Sequence, residues 1–333
     1  GYGAALVSVD SVVNQNGGGV AVQGVFGAAV LDAGSVEVAG DFGRAIQVAS
    51  NYSDATLRVD SAQTDGFLAH AVSVQGYQGV VRVDAGRVVT LGEYSNGLVV
   101  TGQTSTTLVR DALSTEGAYS VGLLNSTTRG DAIVDIAGDV TTLGHGSDGM
   151  WVTGRYGTSR ILTAGEVSTE GSQAFGIKAT GEDGQVDIVA ASVKTAGEGS
   201  NGIHARTRYA EFFLGQGTPN YVPFEGDITI QAAQVEVTGA GAMGISARGI
   251  GTADITAGDV SAFDNFAIDA DMIGDVAIDA RGHVVSQFGS AISAQGADVQ
   301  VSVGPGGQVS GGLDGIVVSA LGARCVQRPP TDG

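Results

Sequence analysis

The stretch Asp131-Ala-Ile-Val-Asp-Ile-Ala137, continued by Gly138-Asp-Val-Thr141 and, after a polar turn, by Gly149-Met-Trp-Val152, holds most of one period of this chain. Apolar and polar side chains alternate through its first seven residues, as they do in Gly226-Asp-Ile-Thr-Ile-Gln231, and a period of two belongs to strands. Helical spacing is absent. The segment Ala137 to Thr141 has a counterpart in Ala164-Gly-Glu-Val-Ser168, so the unit repeats.

Followed outward, the glycine-punctuated apolar triplet recurs twelve times, opening at Val20, Ile46, Val72, Leu98, Leu123, Met150, Ile177, Ile203, Ile245, Ile268, Ile292 and Ile316. The spacings are 26, 26, 26, 25, 27, 27, 26, 42, 23, 24 and 24. A second column comprises Val36, Val88, Leu113, Val140, Val167, Val193, Val235, Val260, Val284 and Val309, and it makes the same jump of 42, from 193 to 235. Two columns that drift and jump together define a structural repeat, and a repeat of this length is a solenoid.

Gly makes up 55 of the 333 residues, far above the usual share of about 7%, and it falls between the strands, where corners call for positive φ. No Pro precedes Pro219, as expected where strands and tight corners dominate. These features predict an all-β fold, a single-stranded right-handed parallel β-helix of about twelve coils. The left-handed form, built on hexapeptides and about 18 residues per coil, does not fit the period. At about 4.8 Å per coil the rod would be roughly 55–60 Å long. The reading places one elongated helix over 1–321, an aromatic-rich insertion at 206–226, and a disordered tail or fragment end at 322–333. Val, Ile, Leu and Ala are expected inside, with Thr, Ser, Asp and Asn outside.

The net charge of -19 argues against nucleic acid or an anionic membrane as partner, since both need basic surface. Cys325 is the only cysteine, which excludes a disulfide framework and a cysteine-based metal site. No run of 18 apolar residues is present, so no membrane insertion is expected. The chain begins at Gly1 without a signal-like segment, and is expected to be a mature product or a fragment.

The pattern Gly-Ile/Leu-x-Val/Ala followed by Val-x-Ile-x-Ala-Gly-x-Val-x-Thr-x-Gly, over residues 4–320, resembles the β-helical passenger regions of bacterial autotransporters, the type V secretion proteins. The resemblance implies display outside a Gram-negative cell, as an adhesin or scaffold anchored at the outer membrane, with a β-barrel translocator elsewhere in the full-length protein.

Signals of catalysis are sparse. No nucleophile elbow, His-Glu-x-x-His, Walker loop or calcium-binding nonapeptide occurs, and His70, His145, His204 and His283 lie on distant coils. No cofactor is expected. Asp135 and Asp187 are expected at equivalent outward positions two coils apart, with Leu162 between them, slightly too far for an inverting carboxylate pair. Arg58 with Arg82, and Asp60 with Asp84, are expected to repeat on adjacent coils. Charges on a solvated sheet account for both sets more simply than catalysis does.

Two features suggest binding instead. If the triplet openers point inward, the next residues point outward, which gives the column Gln47, Ser73, Val99, Leu124, Trp151, Lys178, His204. Val99, Leu124 and Trp151 would form an apolar stripe, with the chain's only Trp free to stack on a sugar or a partner's apolar surface. The insertion carries Tyr209, Phe212, Phe213, Tyr221 and Phe224, and insertions in solenoids are often the binding element. Packing of these aromatics onto the rod wall is the alternative. The expected function is a non-catalytic extracellular binding rod for a glycan or surface protein, with a polysaccharide-active β-helix and a structural spacer as alternatives.

Overall fold

In the computed structural model, residues 3–208 and 226–320 are described, and they form 25 β-strands with no helix among them. One coil contributes three strand segments, as in Leu123–Thr127, Ala132–Ile136 and Asp139–Thr142. Every segment pairs in parallel with its counterpart one coil away. Met150–Arg155, for example, lies between Leu123–Thr127 and Ile177–Glu182. The register Ile177↔Ile203↔Ile245 shows that the 42-residue step re-enters the same column. The predicted parallel β-solenoid of about twelve coils is what forms.

The strand Ile203–Arg208 carries the wall three residues into the stretch assigned to the insertion. The remainder of that stretch up to residue 225, and the 322–333 tail, lie outside the described residues.

Burial follows the two apolar columns. The openers from Ile46 to Ile292 and the second column from Val36 to Val284 are buried. The interior nevertheless corrects the expectation that Thr and Ser face outward. Thr64, Thr90, Thr115, Thr142, Thr169 and Thr195 are all buried. Each hydroxyl donates to the carbonyl five residues on, at 2.5–3.0 Å. Beside them Ser95, Ser120, Ser147 and Ser200 accept a backbone N–H from the preceding coil. A corner turns backbone groups away from the ladder, and buried groups of that kind need partners. Small hydroxyl side chains supply them without taking space from the core.

Glycine's role at this corner is also corrected. A Cβ on Gly66, Gly92, Gly117, Gly144, Gly171, Gly197 or Gly239 would lie 1.8–2.1 Å from the carbonyl oxygen of the glycine one coil before. Close backbone approach, rather than positive φ, is what requires glycine there. The positive φ falls two residues on, at Phe42, Leu68, Tyr94, Tyr119 and Gln173 as well as at Gly146, Gly199 and Gly241.

The acidic residues take part in the corners as well. Asp54, Asp131, Asp227 and Asp275 each accept a backbone N–H from the following coil through Oδ1, at 2.8–3.1 Å. Part of the negative charge is therefore a structural device of the turns.

Candidate functional site

The outward column is in the expected register, running Val99↔Leu124↔Trp151↔Lys178↔His204 and on to Ser246 and Asp269. Val99 and Leu124 are half-buried between their neighbours, so the apolar stripe is shallow and Trp151, 37% exposed, is its accessible member. Lys178 folds back along the column instead of extending into solvent. Its Nζ lies 3.9 Å from the centre of the Trp151 ring and 5.2 Å from that of Phe175. Phe175 in turn lies 5.5 Å from His204, centre to centre. Two aromatic faces, an ammonium and an imidazole thus meet across three adjacent coils. Such a cation–aromatic contact is worth about 0.5–2 kcal/mol, depending on its exposure.

Two residues beyond His204 on the same strand face, Arg206 pairs in register with Arg248 of the next coil. With His204 and Arg208 they line an open concavity of about 710 Å³, rimmed by Asp271, Met272 and Ile273. Arg248 is held by Asp269 at 2.8 Å. Arg208 and Arg155 both bind Glu182, from the coils on either side of it. Burial works to raise the Glu182 carboxyl, but the bonds and charges of Arg208 and Arg155 outweigh it and hold the group below its ordinary value. Arg206 makes no ion pair among the described residues.

His204 is the group this surround perturbs most. Burial, and then the charges of Lys178, Arg248 and Arg206, lower its pKa to about 4, so the ring is neutral at pH 7. Its Nδ1 is buried with no hydrogen-bond partner among the described residues. Asp148, on the coil before Phe175, is pushed up by burial, against the Phe175 N–H bond and the Lys178 charge that favour its anion.

Of the residues expected to bind, Trp151, Lys178 and His204 come together. Tyr209, Phe212, Phe213, Tyr221 and Phe224 lie outside the described residues. Arg206, Arg208 and Arg248 join the site unforeseen, although the coil step of 42 that carries Ile203 to Ile245 also carries Arg206 to Arg248. The carboxylate expectations are corrected. Asp135 sits beside Leu162, but the next residue in that column is Val189. Asp187 lies instead beside Arg160, 3.2 Å away, in the column of Ile133. Both local coils hold 27 residues, so a step of 52 misses the register by two. Likewise Arg58 pairs with Asp84, and Arg82 with Thr56, while Arg110 bridges Asp60 and Asp84 at 3.0 and 2.7 Å.

A second aromatic feature was not anticipated. Phe42, Phe67, Tyr94, Tyr119 and His145 stack up the left-handed corner with centre-to-centre distances of 5.9, 5.7, 5.0 and 5.3 Å. Its rings are exposed, but each is engaged by its neighbours along the rod. Among the described residues no group of three or more His, Cys, Asp and Glu side chains is placed to hold a metal ion. The chain has no match among protein-family models, curated proteins or solved structures, so the reading of this face rests on its own geometry.

Proposed function

We propose that this rod is a non-catalytic recognition module, displayed at a bacterial cell surface in the manner of an autotransporter passenger, that binds a glycan or surface protein across the face from Trp151 to Arg248. The observation that carries the reading is the convergence of an exposed indole, a lysine ammonium and the Arg206–Arg248 pair beside one open concavity. Aromatic and arginine side chains gathered at one place are the groups that most often carry binding energy at recognition surfaces, whereas like residues stacked on like suffice for a wall. Surface display rests on the resemblance of the repeat pattern, with the acidic, cysteine-poor composition in keeping. The aromatics of the insertion belong to the same proposal, because Arg208, the last described residue before them, lines the concavity. Against a polysaccharide-cleaving role stand the misregister of Asp135 with Asp187 and the use of Asp131 and Asp227 in backbone hydrogen bonds.

The test is a glycan-array and cell-binding comparison of the 333-residue chain with Trp151→Ala and with a variant lacking residues 207–223, after circular dichroism shows all three to be β-rich. Binding that is lost in either variant supports the reading. Absence of binding by the intact chain, or binding indifferent to both changes, overturns it.

A further inference from the structure

We infer that the ligand of this face is an anionic glycan, a sugar chain bearing carboxylate or sulfate groups, whose anion seats between Arg206, Arg248 and Lys178 while a sugar ring lies against Trp151. The inference rests on the recognition reading above and names the ligand class. Arg206 and Arg248 sit one coil apart in register, about 4.8 Å along the rod. Lys178 and Arg206 are separated by one coil and two residues, roughly 8 Å. Arg248 is compensated by Asp269, and Arg208 by Glu182, but Arg206 has no carboxylate partner among the described residues. An uncompensated guanidinium one coil from another cation repels it, and an arriving anion relieves that repulsion.

The rest of the molecule sharpens the contrast. The net charge is -19, so a polyanion is repelled at long range and can be held only where positive groups cluster at short range. The indole selects a glycan over an acidic protein segment. A pyranose offers a flat C–H face to an aromatic ring and an anion at its edge, so the Lys178 ammonium, which lies 3.9 Å over the indole, turns to the anion as the sugar takes its place on the ring. The span from Trp151 to Arg248, three coils and two residues, is on the order of 16 Å, long enough for several sugar residues.

The experiment measures binding of the full chain to heparin oligosaccharides, hyaluronan, neutral dextran and poly-L-glutamate, by titration calorimetry at low and high salt. It is repeated with Arg206→Glu, with Trp151→Ala, and with Arg87→Glu as an exposed control of equal charge change, three coils before Trp151. The expected result is binding of at least one acidic glycan, weakened about tenfold or more by Arg206→Glu and by salt, and unchanged by Arg87→Glu. Equal losses from Arg206→Glu and Arg87→Glu would overturn the site. Preference for poly-L-glutamate would overturn the glycan class. Dextran binding that needs Trp151 but not Arg206 would overturn the anionic inference while leaving the recognition reading standing. Binding to none of the four probes, by an intact chain that does bind on the glycan array or on cells, would do the same.

Discussion

The corner from Phe42 to His145 and the face from Trp151 to Arg248 are built on the same coil spacing, yet they put side chains to opposite uses. At the corner, like stacks on like: ring contacts ring along the axis, and the flanking Asp41 and Asp65 are taken up by backbone N–H groups of the turns. On the face, unlike groups are brought together, with Trp151 under Lys178, Phe175 against His204, and Arg206 beside Arg248. A solenoid repeats its backbone at every coil, so a column of similar residues amounts to stability added coil by coil. A column that changes from apolar to cationic within three coils has given up that gain locally. On this contrast the corner is wall and the face from Trp151 to Arg248 is the proposed site.

Breaking the corner is expected to give the largest effect. Gly92 lies two residues before Tyr94, and a Cβ there would sit 1.9 Å from the Gly66 carbonyl oxygen. Gly92→Ala forces two coils apart and is expected to destabilise the rod by about 1–3 kcal/mol or more, read as a lowered urea midpoint by circular dichroism. A midpoint within error of the parent would contradict the close-approach account.

The next effect concerns the rings themselves. Tyr94 holds φ 55°, a region that costs a non-glycine residue roughly 1–2 kcal/mol. Tyr94→Ala loses the stacking and keeps the strain, while Tyr94→Gly loses the stacking and relieves it. Tyr94→Gly is therefore expected to be the more stable of the two, the reverse of the usual order within a strand, and thermal melts of the pair decide it.

A smaller effect distinguishes the face by pH. His204 has a folded-state pKa of about 4, depressed first by burial and then by Lys178, Arg248 and Arg206. Between about 6.5 and 4 the unfolded chain binds a proton that the folded chain does not, so stability is full above pH 6.5 and declines as pH falls towards 4. His70, lowered by burial and Arg44, contributes with the same sign, and Asp148, raised by burial, with the opposite one. His204→Gln is expected to flatten the slope in this window and leave the pH 8 stability nearly unchanged. An unaltered slope would mean that His204 titrates normally.

The fold was readable because its evidence is periodic. Ile46, Met150, Ile203 and Ile245 appear as a column in the sequence and are a buried column in space, and the step of 42 could be followed because two columns share it. The interior Thr and Ser ladders were not readable, since a binary pattern sends every hydroxyl outward and carries no sign of carbonyls orphaned at a corner. The aromatic ladder escaped for a related reason. Phe67 and Tyr94 occupy different offsets in their turns, 27 residues apart, and only the left-handed backbone at Leu68 and Tyr94 brings the rings together. In the site, Trp151, Lys178 and His204 follow from the period alone. Arg248 does not stand out, because 42 residues separate it from the arginine it pairs with in register.

The most direct test of the account measures stability and ligand binding together for Trp151→Ala and Tyr94→Ala. The account predicts a crossed result: Trp151→Ala abolishes binding with a stability change of at most about 1 kcal/mol, the scale of an exposed cation–aromatic contact, while Tyr94→Ala lowers stability and binds as the parent does. Loss of binding in Tyr94→Ala with retention in Trp151→Ala would place recognition on the corner and contradict the assignment of wall and site.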